Sequence, residues 1–117
     1  MSILFGAFGG AALITLSAPW GDISGGAPIA NANVTLTFAG SSRTLRIEHT
    51  LPSLDFEYRV NSGTYTNCPT GTEFSVSSGD TLNFRVASGG GESSTINVFD
   101  LTISASGALD AFTVNIP

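Results

Sequence analysis

Charged residues are scarce in this chain of 117 residues, since Asp, Glu, Lys and Arg make up 11% of it, against roughly 25% in a typical soluble domain. All four basic residues are arginines, and lysine is absent. Nucleic-acid binding draws its affinity from clusters of Lys and Arg, so a net charge of −5 argues against it. We therefore expect no nucleic-acid partner. Interfaces are depleted in Lys, Asp and Glu, so the surface is either merely charge-poor or largely covered by neighbours in an assembly.

Cysteine and histidine each occur once, as Cys68 and His49. A single cysteine excludes an intrachain disulfide, and a single histidine cannot supply a site with several histidine ligands. We interpret His49 as a structural residue at a strand end. Cys68 is interpreted as a partly packed loop residue, with a reactive loop thiol as the alternative.

The nine acidic residues are scattered along the chain, without the alternating Asp run that builds a calcium loop. Asp80 lies in a turn, where Asp commonly bonds nearby backbone groups. No convergent set of acid, base and nucleophile is visible either. We expect a protein that is not an enzyme and has no metal or cofactor, with a calcium ion between loops as the alternative.

The N-terminal residues 1–30 are rich in Gly and Ala and show neither helical nor alternating periodicity. The apolar run within them lacks the preceding Lys or Arg of a signal peptide and is shorter than the ~20 residues that span a bilayer. We predict an irregular apolar arm and no membrane partner. The arm either packs on its own domain or docks onto another subunit, and we expect the domain to fold without residues 1–20. The predicted assembly interface consists of the arm's large apolar residues: Ile3, Leu4, Phe5, Phe8, Leu13, Ile14, Leu16 and Trp20.

From Asn33 onward the apolar residues recur with a period of two, which predicts strands separated by turns. The strands on either side of Ala39–Ser42 are predicted to form a hairpin. From Phe56 to Val98 the inward positions are even-numbered, and they are odd at Leu101 and Ile103, which predicts a β-bulge near residues 99–100. Residues 31–117 are therefore predicted to form an all-β domain, an antiparallel immunoglobulin-like β-sandwich of about seven strands.

Three stretches resemble an immunoglobulin-like module found in tailed-phage virion proteins and in some bacterial surface proteins. They are the run 58–63 with its Asn-Ser-Gly turn, the run 76–86 with its Ser-Gly-Asp turn and central arginine, and the closing strand 111–114. The resemblance covers about half of the chain, from residue 56 to residue 116. Residues 1–50 depart from the pattern.

The resemblance implies a non-enzymatic bacteriophage virion protein, such as a capsid decoration or cement protein or a tail accessory. We expect it to bind the major capsid protein or tail proteins through the arm and the charge-poor surface, as a homo-oligomer on a symmetric particle assembled in the host cytoplasm. The alternative is a receptor- or glycan-binding module on a tail or cell surface, with Asn61, Tyr65 and Asn67 as its ligand loop.

Overall fold

The computed structural model describes residues 13–103 and 107–117, and these residues form strands, turns and loops without a helix. No helix in this part of the chain is therefore long and apolar enough to cross a membrane. Seven strands have four or more residues and four have two. The strands are β1 (Thr15–Leu16), β2 (Ile23–Ser24), β3 (Ile29–Ala30), β4 (Val34–Thr37), β5 (Ser42–Glu48), β6 (Phe56–Val60), β7 (Thr66–Asn67), β8 (Thr72–Ser77), β9 (Thr81–Val86), β10 (Glu92–Asp100) and β11 (Asp110–Ile116).

The strands form two sheets, which confirms the predicted all-β, immunoglobulin-like sandwich. Sheet I has the order β1-β4-β9-β6-β7, with β3 also paired to β9, and sheet II has the order β2-β11-β10-β5-β8. All pairings are antiparallel except that between β2 and β11. Because each strand alternates its side chains between two faces, the apolar residues of both sheets meet in one core.

Four aromatic side chains lie at the centre of this core. Phe84 from β9 stacks on Phe56 from β6, with 5.4 Å between ring centroids. Trp20 meets the same Phe84 ring edge-on at 5.4 Å, and Phe112 from β11 lies at 5.4 Å on a tilted approach. Phe84 therefore joins both sheets and the N-terminal segment in one cluster, with aromatic pair geometry that adds to the burial of apolar area.

Residues 13–30 are part of this sandwich. Trp20 is 3% exposed, its backbone N–H donates to the Asp110 carboxylate at 2.8 Å, and its indole N–H points to the Leu82 carbonyl at 3.4 Å. Ile23 is buried and pairs with Val114. The arm thus follows, from residue 13 onward, the first of its two alternatives and packs on its own domain. Deleting residues 1–20 would remove Trp20 from the core, so we expect that deletion to destabilise the domain.

The predicted hairpin across Ala39–Ser42 is also wrong. Strand β4 lies in sheet I between β1 and β9, whereas β5 lies in sheet II between β10 and β8. Each strand thus has both hydrogen-bonding edges occupied by other partners, and the turn carries the chain from one sheet to the other. Alternation alone specifies the inward residues of two successive strands and leaves open whether they pair with each other.

The predicted β-bulge near residues 99–100 does not occur, because β10 keeps its alternation through Asp100. Asp100 occupies the last inward position and pairs with Arg43 of β5 at 2.9 Å, with both side chains under 5% exposed. Leu101 follows in a turn and is exposed. The inward positions only appear to change from even to odd numbers, because the inward position 100 is filled by the charged Asp100 and the apolar Leu101 lies outside the strand.

Candidate recognition surface

The outer face of sheet I carries a compact cluster of polar and aromatic side chains. Strands β6 and β9 pair so that Glu57 lies opposite Arg85 and Arg59 opposite Asn83. These positions alternate with core residues and therefore face outward. The loop after β6 returns over this face, and β7 places Asn67 beside Glu57. We call the cluster the Tyr65 platform; it comprises Glu57, Arg59, Tyr65, Asn67, Asn83 and Arg85.

Tyr65 is the centre of the platform. The guanidinium carbon of Arg59 lies 4.6 Å from the Tyr65 ring centroid, and that of Arg85 lies 4.2 Å from it. Two cations therefore contact one ring, an arrangement favoured by the ring's quadrupole. The Tyr65 hydroxyl donates to the side-chain oxygen of Asn83, and the Asn83 amide donates to the Asn31 carbonyl. These bonds tie the loop to β9 and fix the orientation of the ring.

The platform also contains polar atoms that have no partner among the described residues. Arg85 forms an ion pair with Glu57, with 2.9 Å between Nε and Oε1. By contrast, Nε of Arg59 and Oδ1 of Asn67 are buried without a hydrogen bond. Buried polar atoms are normally paired. One donor and one acceptor near the oriented tyrosine are therefore left without a hydrogen bond inside this cluster.

Asn61, the third residue of the predicted ligand loop, has a different environment. It adopts a positive φ of 59°, and its backbone N–H donates to the Thr81 carbonyl at 2.7 Å. Its side chain donates to the Asp80 carboxylate and accepts from the Thr81 N–H, both at 3.1 Å. Asp80 also accepts from the Ser77 N–H at 2.8 Å. Asn61 and Asp80 thus hold two turns together, and the structure does not bring Asn61 into the platform.

The predicted assembly residues are distributed between the core, the surface and the part of the chain that is not described. Ile14 and Trp20 are buried in the core. Leu16 is partly buried against the core, in β1. Leu13 is 70% exposed. The remaining four lie outside the described residues: Ile3, Leu4, Phe5 and Phe8.

A cavity of about 280 Å³ adjoins the start of the described chain. Leu13 and Ile14 line one side of it, and Ile103, Ala108 and Leu109 contribute to the other. Its lining is mainly apolar, because only Asp100 among the lining residues carries a charge. Apolar surface is therefore present where residues 1–12 join the sandwich.

His49, which directly follows β5, is joined to Cys68 by a hydrogen bond. The Leu51 N–H donates to Nδ1 of His49 at 2.9 Å, so the proton is on Nε2, which donates to the Cys68 carbonyl at 2.6 Å. Burial lowers the pKa of His49. Burial also raises the pKa of the Cys68 thiol to about 12, which leaves it as an unreactive thiol at neutral pH. Both side chains are buried.

The burial of His49 could be predicted from the sequence, because residue 49 follows the inward positions 43, 45 and 47 of β5 at the same spacing of two. Arg43 follows the same parity at the other end of that strand. A polar residue at an inward position predicts burial when the alternation is followed strictly.

Acidic side chains do not gather into a metal site in the described part of the chain. No group of three or more His, Cys, Asp or Glu residues there is placed to hold a metal ion. Asp55 and Glu92 are close neighbours, and a hydrogen bond between them, together with burial, raises the pKa of Glu92. Ser88 donates to the same Asp55 carboxylate at 2.8 Å.

Comparison with known proteins shows the fold and no family. No family model matches the chain, and no curated protein matches it. Among solved structures, it is similar to residues 27–141 of a conjugate transposon protein from Bacteroides vulgatus, with a TM-score of 0.51 and 15% identity over 86% of this chain and 81% of that one. A second match is WR4, a C. elegans MSP family member, with a TM-score of 0.38 and 12% identity over 91% of this chain and 99% of that one.

Proposed function

We propose that this chain is a non-enzymatic structural protein of a bacteriophage virion, of the capsid decoration type. It would attach to major capsid or tail proteins through its N-terminal residues. The proposal is supported by the immunoglobulin-like sandwich and its resemblance in sequence to phage modules. It is also supported by the absence of Lys and the low content of Asp and Glu, since interfaces are depleted in these residues.

The observation that carries the proposal is the apolar surface where residues 1–12 join the sandwich. Leu13 is 70% exposed and lines the apolar cavity described above. The segment before it contains Ile3, Leu4, Phe5 and Phe8. Each 100 Å² of apolar surface buried on a particle contributes ~2.5 kcal/mol before ordering costs. A symmetric particle repeats the contact, so a weak single contact suffices.

The sandwich limits how the attachment can be tested. Deleting residues 2–12 leaves in place every core residue in the described part of the chain, whereas a deletion through Trp20 does not. Particles made by the genome that encodes the chain are purified on a density gradient and probed for the protein. We expect the wild-type chain to sediment with the particles and the chain lacking residues 2–12 to stay at the top of the gradient.

A matched pair of point variants separates this contact from general surface apolarity. Leu13 and Leu54 are similarly exposed, at 70% and 74%, and only Leu13 lies at the N-terminal cavity. Leu13→Ser should weaken particle binding, and Leu54→Ser should leave it unchanged. Equal binding by both variants and by the deleted chain would refute attachment through the N-terminus. Absence of the wild-type protein from the particles would refute the virion assignment itself.

The Tyr65 platform favours a second function, recognition of a receptor or glycan. A tyrosine ring oriented between Arg59 and Arg85, beside an unpartnered donor and acceptor, is suited to a polar ligand with one flat apolar face. Aromatic rings are frequent anchors in such sites. The platform lies on sheet I, so this function does not depend on residues 1–12.

Binding to host-surface glycans on an array tests this second function. Tyr65→Ser should abolish specific retention, and Arg46→Ala, a change on the outer face of sheet II, should preserve it. Arg46 is a suitable control because its side chain is 41% exposed and its ion pairs are at the surface. Equal retention of the two variants would exclude the platform as the binding site.

A further inference from the structure

Strand β8 is an unusually long free edge in this fold. The other strands at the ends of the two sheets, β1, β7 and β2, have two residues each, whereas β8 has six and, among residues 13–103 and 107–117, pairs only with β5. Free edges of monomeric proteins are commonly blunted by short length, Pro, Lys or bulges. The segment Thr72–Ser77 has no Pro and no Lys, and its register with β5 is unbroken. This edge is therefore open to another strand.

The hydrogen bonds of β5 show which backbone N–H and C=O groups of β8 point away from β5. The Thr44 carbonyl accepts from Leu101, beyond the end of β10, and the Ile47 carbonyl accepts from Gly71, just before β8. Even-numbered residues of β5 therefore bond towards β10 and odd-numbered ones towards β8. Residues 43, 45 and 47 lie opposite residues 76, 74 and 72. The backbone groups of Glu73 and Ser75 consequently point away from the sheet.

The free set ends at Ser77, because a local turn uses its backbone groups. The Ser77 N–H donates to the Asp80 carboxylate at 2.8 Å, and its carbonyl accepts from the Asp80 N–H at 3.0 Å. Two N–H and two C=O groups therefore remain along β8, one pair at Glu73 and one at Ser75.

We propose that β8 pairs with β8 of a second copy of this chain, antiparallel across a two-fold axis at Phe74. In this register Glu73 lies opposite Ser75 of the other copy, and each such pair exchanges two hydrogen bonds. All four free groups of each copy are then satisfied, and sheet II becomes continuous across the dimer. An isologous contact of this kind closes after two subunits.

The side chains of β8 are compatible with pairing to β8 of a second copy. In the proposed register the single acidic residue of β8 faces a serine, so no like charges oppose each other, and Arg46 lies 3.7 Å from Glu73 within each copy. Phe74 is only partly buried and stacks on Tyr58 with 4.3 Å between ring centroids. At the two-fold axis Phe74 faces its own equivalent in a non-hydrogen-bonded pair, where side chains approach most closely. Cross-strand aromatic pairs of this kind are stabilising.

Disulfide cross-linking tests the register directly. Directly opposed residues of a non-hydrogen-bonded pair are about 4.5 Å apart at Cα, within the range that a disulfide bridges. Only residue 74 faces itself, so Phe74→Cys should form a cross-linked dimer under mild oxidation, and Ser75→Cys should not. Cys68 does not interfere, because it is buried with a raised pKa. No cross-linking by Phe74→Cys, or equal cross-linking by both variants, would overturn the register.

Sedimentation equilibrium of the full chain tests the dimer without a new cysteine. Ser75→Pro removes an N–H that β5 does not use, and Pro is tolerated at such edge positions. It should raise the dimer dissociation constant roughly 10- to 100-fold, since two intersubunit hydrogen bonds are lost. Ser75→Ala, which keeps the N–H, should leave the constant within about threefold. A wild-type chain that stays monomeric at millimolar concentration would refute the proposal. A strand of a particle protein would then be the remaining candidate to pair with the β8 edge.

Discussion

Asp100→Ala should strongly destabilise the domain, because Asp100 is the partner of a buried cation. The side chains of Arg43 and Asp100 are 3% and 4% exposed, and they are joined at 2.9 Å. Without the carboxylate, the contacts of the Arg43 guanidinium with described residues are reduced to the Ala39 carbonyl at 3.3 Å and the face of the Phe38 ring at 4.8 Å. Removing one member of a buried ion pair costs about 3–5 kcal/mol. This is a large share of the ~5–15 kcal/mol that stabilises a typical domain.

Urea unfolding measures the effect. With a slope of ~2 kcal/mol per molar urea, the Asp100→Ala variant should unfold at roughly 2 M lower urea than the wild-type chain. Arg46→Ala is the matched control, since its ion pair with Glu48 has a similar N···O distance, 3.0 Å, but both side chains are more than 40% exposed. An exposed pair contributes about 0–1 kcal/mol, so the control midpoint should shift little.

The paired replacement separates the cost of an orphaned charge from the value of the ion pair. Arg43→Met combined with Asp100→Leu removes both charges and fills the site with apolar side chains. Such replacements are often neutral or stabilising, so the double variant should recover most of the stability that Asp100→Ala loses. The reasoning fails if Asp100→Ala costs less than about 1 kcal/mol, or if the double variant is no more stable than the single one.

Three other predictions concern single residues. Glu92→Gln should stabilise the domain near neutral pH, because the pKa of Glu92 is raised above its ordinary 4.5. The protonated carboxyl stabilises the folded state at low pH, and this contribution is lost as pH rises through the raised pKa. In thermal melts from pH 4 to 8, the melting temperature of the variant should therefore change less with pH than that of the wild-type chain. Cys68 should react with a thiol reagent at pH 8 only after unfolding, since burial raises its pKa to about 12; equal rates with and without denaturant would contradict this. Trp20→Ala should lower the unfolding free energy by about 3–5 kcal/mol in urea titrations, because Trp20 is 3% exposed in the core, whereas deleting residues 2–12 should leave it nearly unchanged.

Most of the sandwich core could be predicted from alternation alone. The inward residues predicted in β9, namely Leu82, Phe84 and Val86, are all fully buried. Their period of two is imposed by the geometry of a strand and does not depend on which strands pair. Pairing depends on the three-dimensional path of the chain. Alternation therefore predicts a hairpin at the turn after Phe38, whereas that turn crosses between the sheets.

Residues with two possible roles were harder to predict. An apolar, glycine-rich segment is compatible with a docking arm and with an added part of the core, and its sequence does not distinguish these. Trp20 and Ile23 lie in the core because two-residue strands pair nearby, Ile23 itself with Val114 and Ile29 with Val86. Strands of two residues are too short to produce a detectable period.

The Tyr65 platform could be predicted only in part, because a loop completes it. Alternation places Glu57 and Arg59 on the outer face of β6, and Asn83 and Arg85 on that of β9. That Tyr65 covers this face follows from the course of the loop after Gly63, which has no periodic pattern. The ring nevertheless takes a fixed place, because the sheet supplies two cations and an amide that contact it. The strands thus fix which residues face outward, and the loops determine which of these residues contact one another. Because the platform lies on sheet I and β8 in sheet II, recognition by the platform and pairing at β8 can be separated by variants on different sheets.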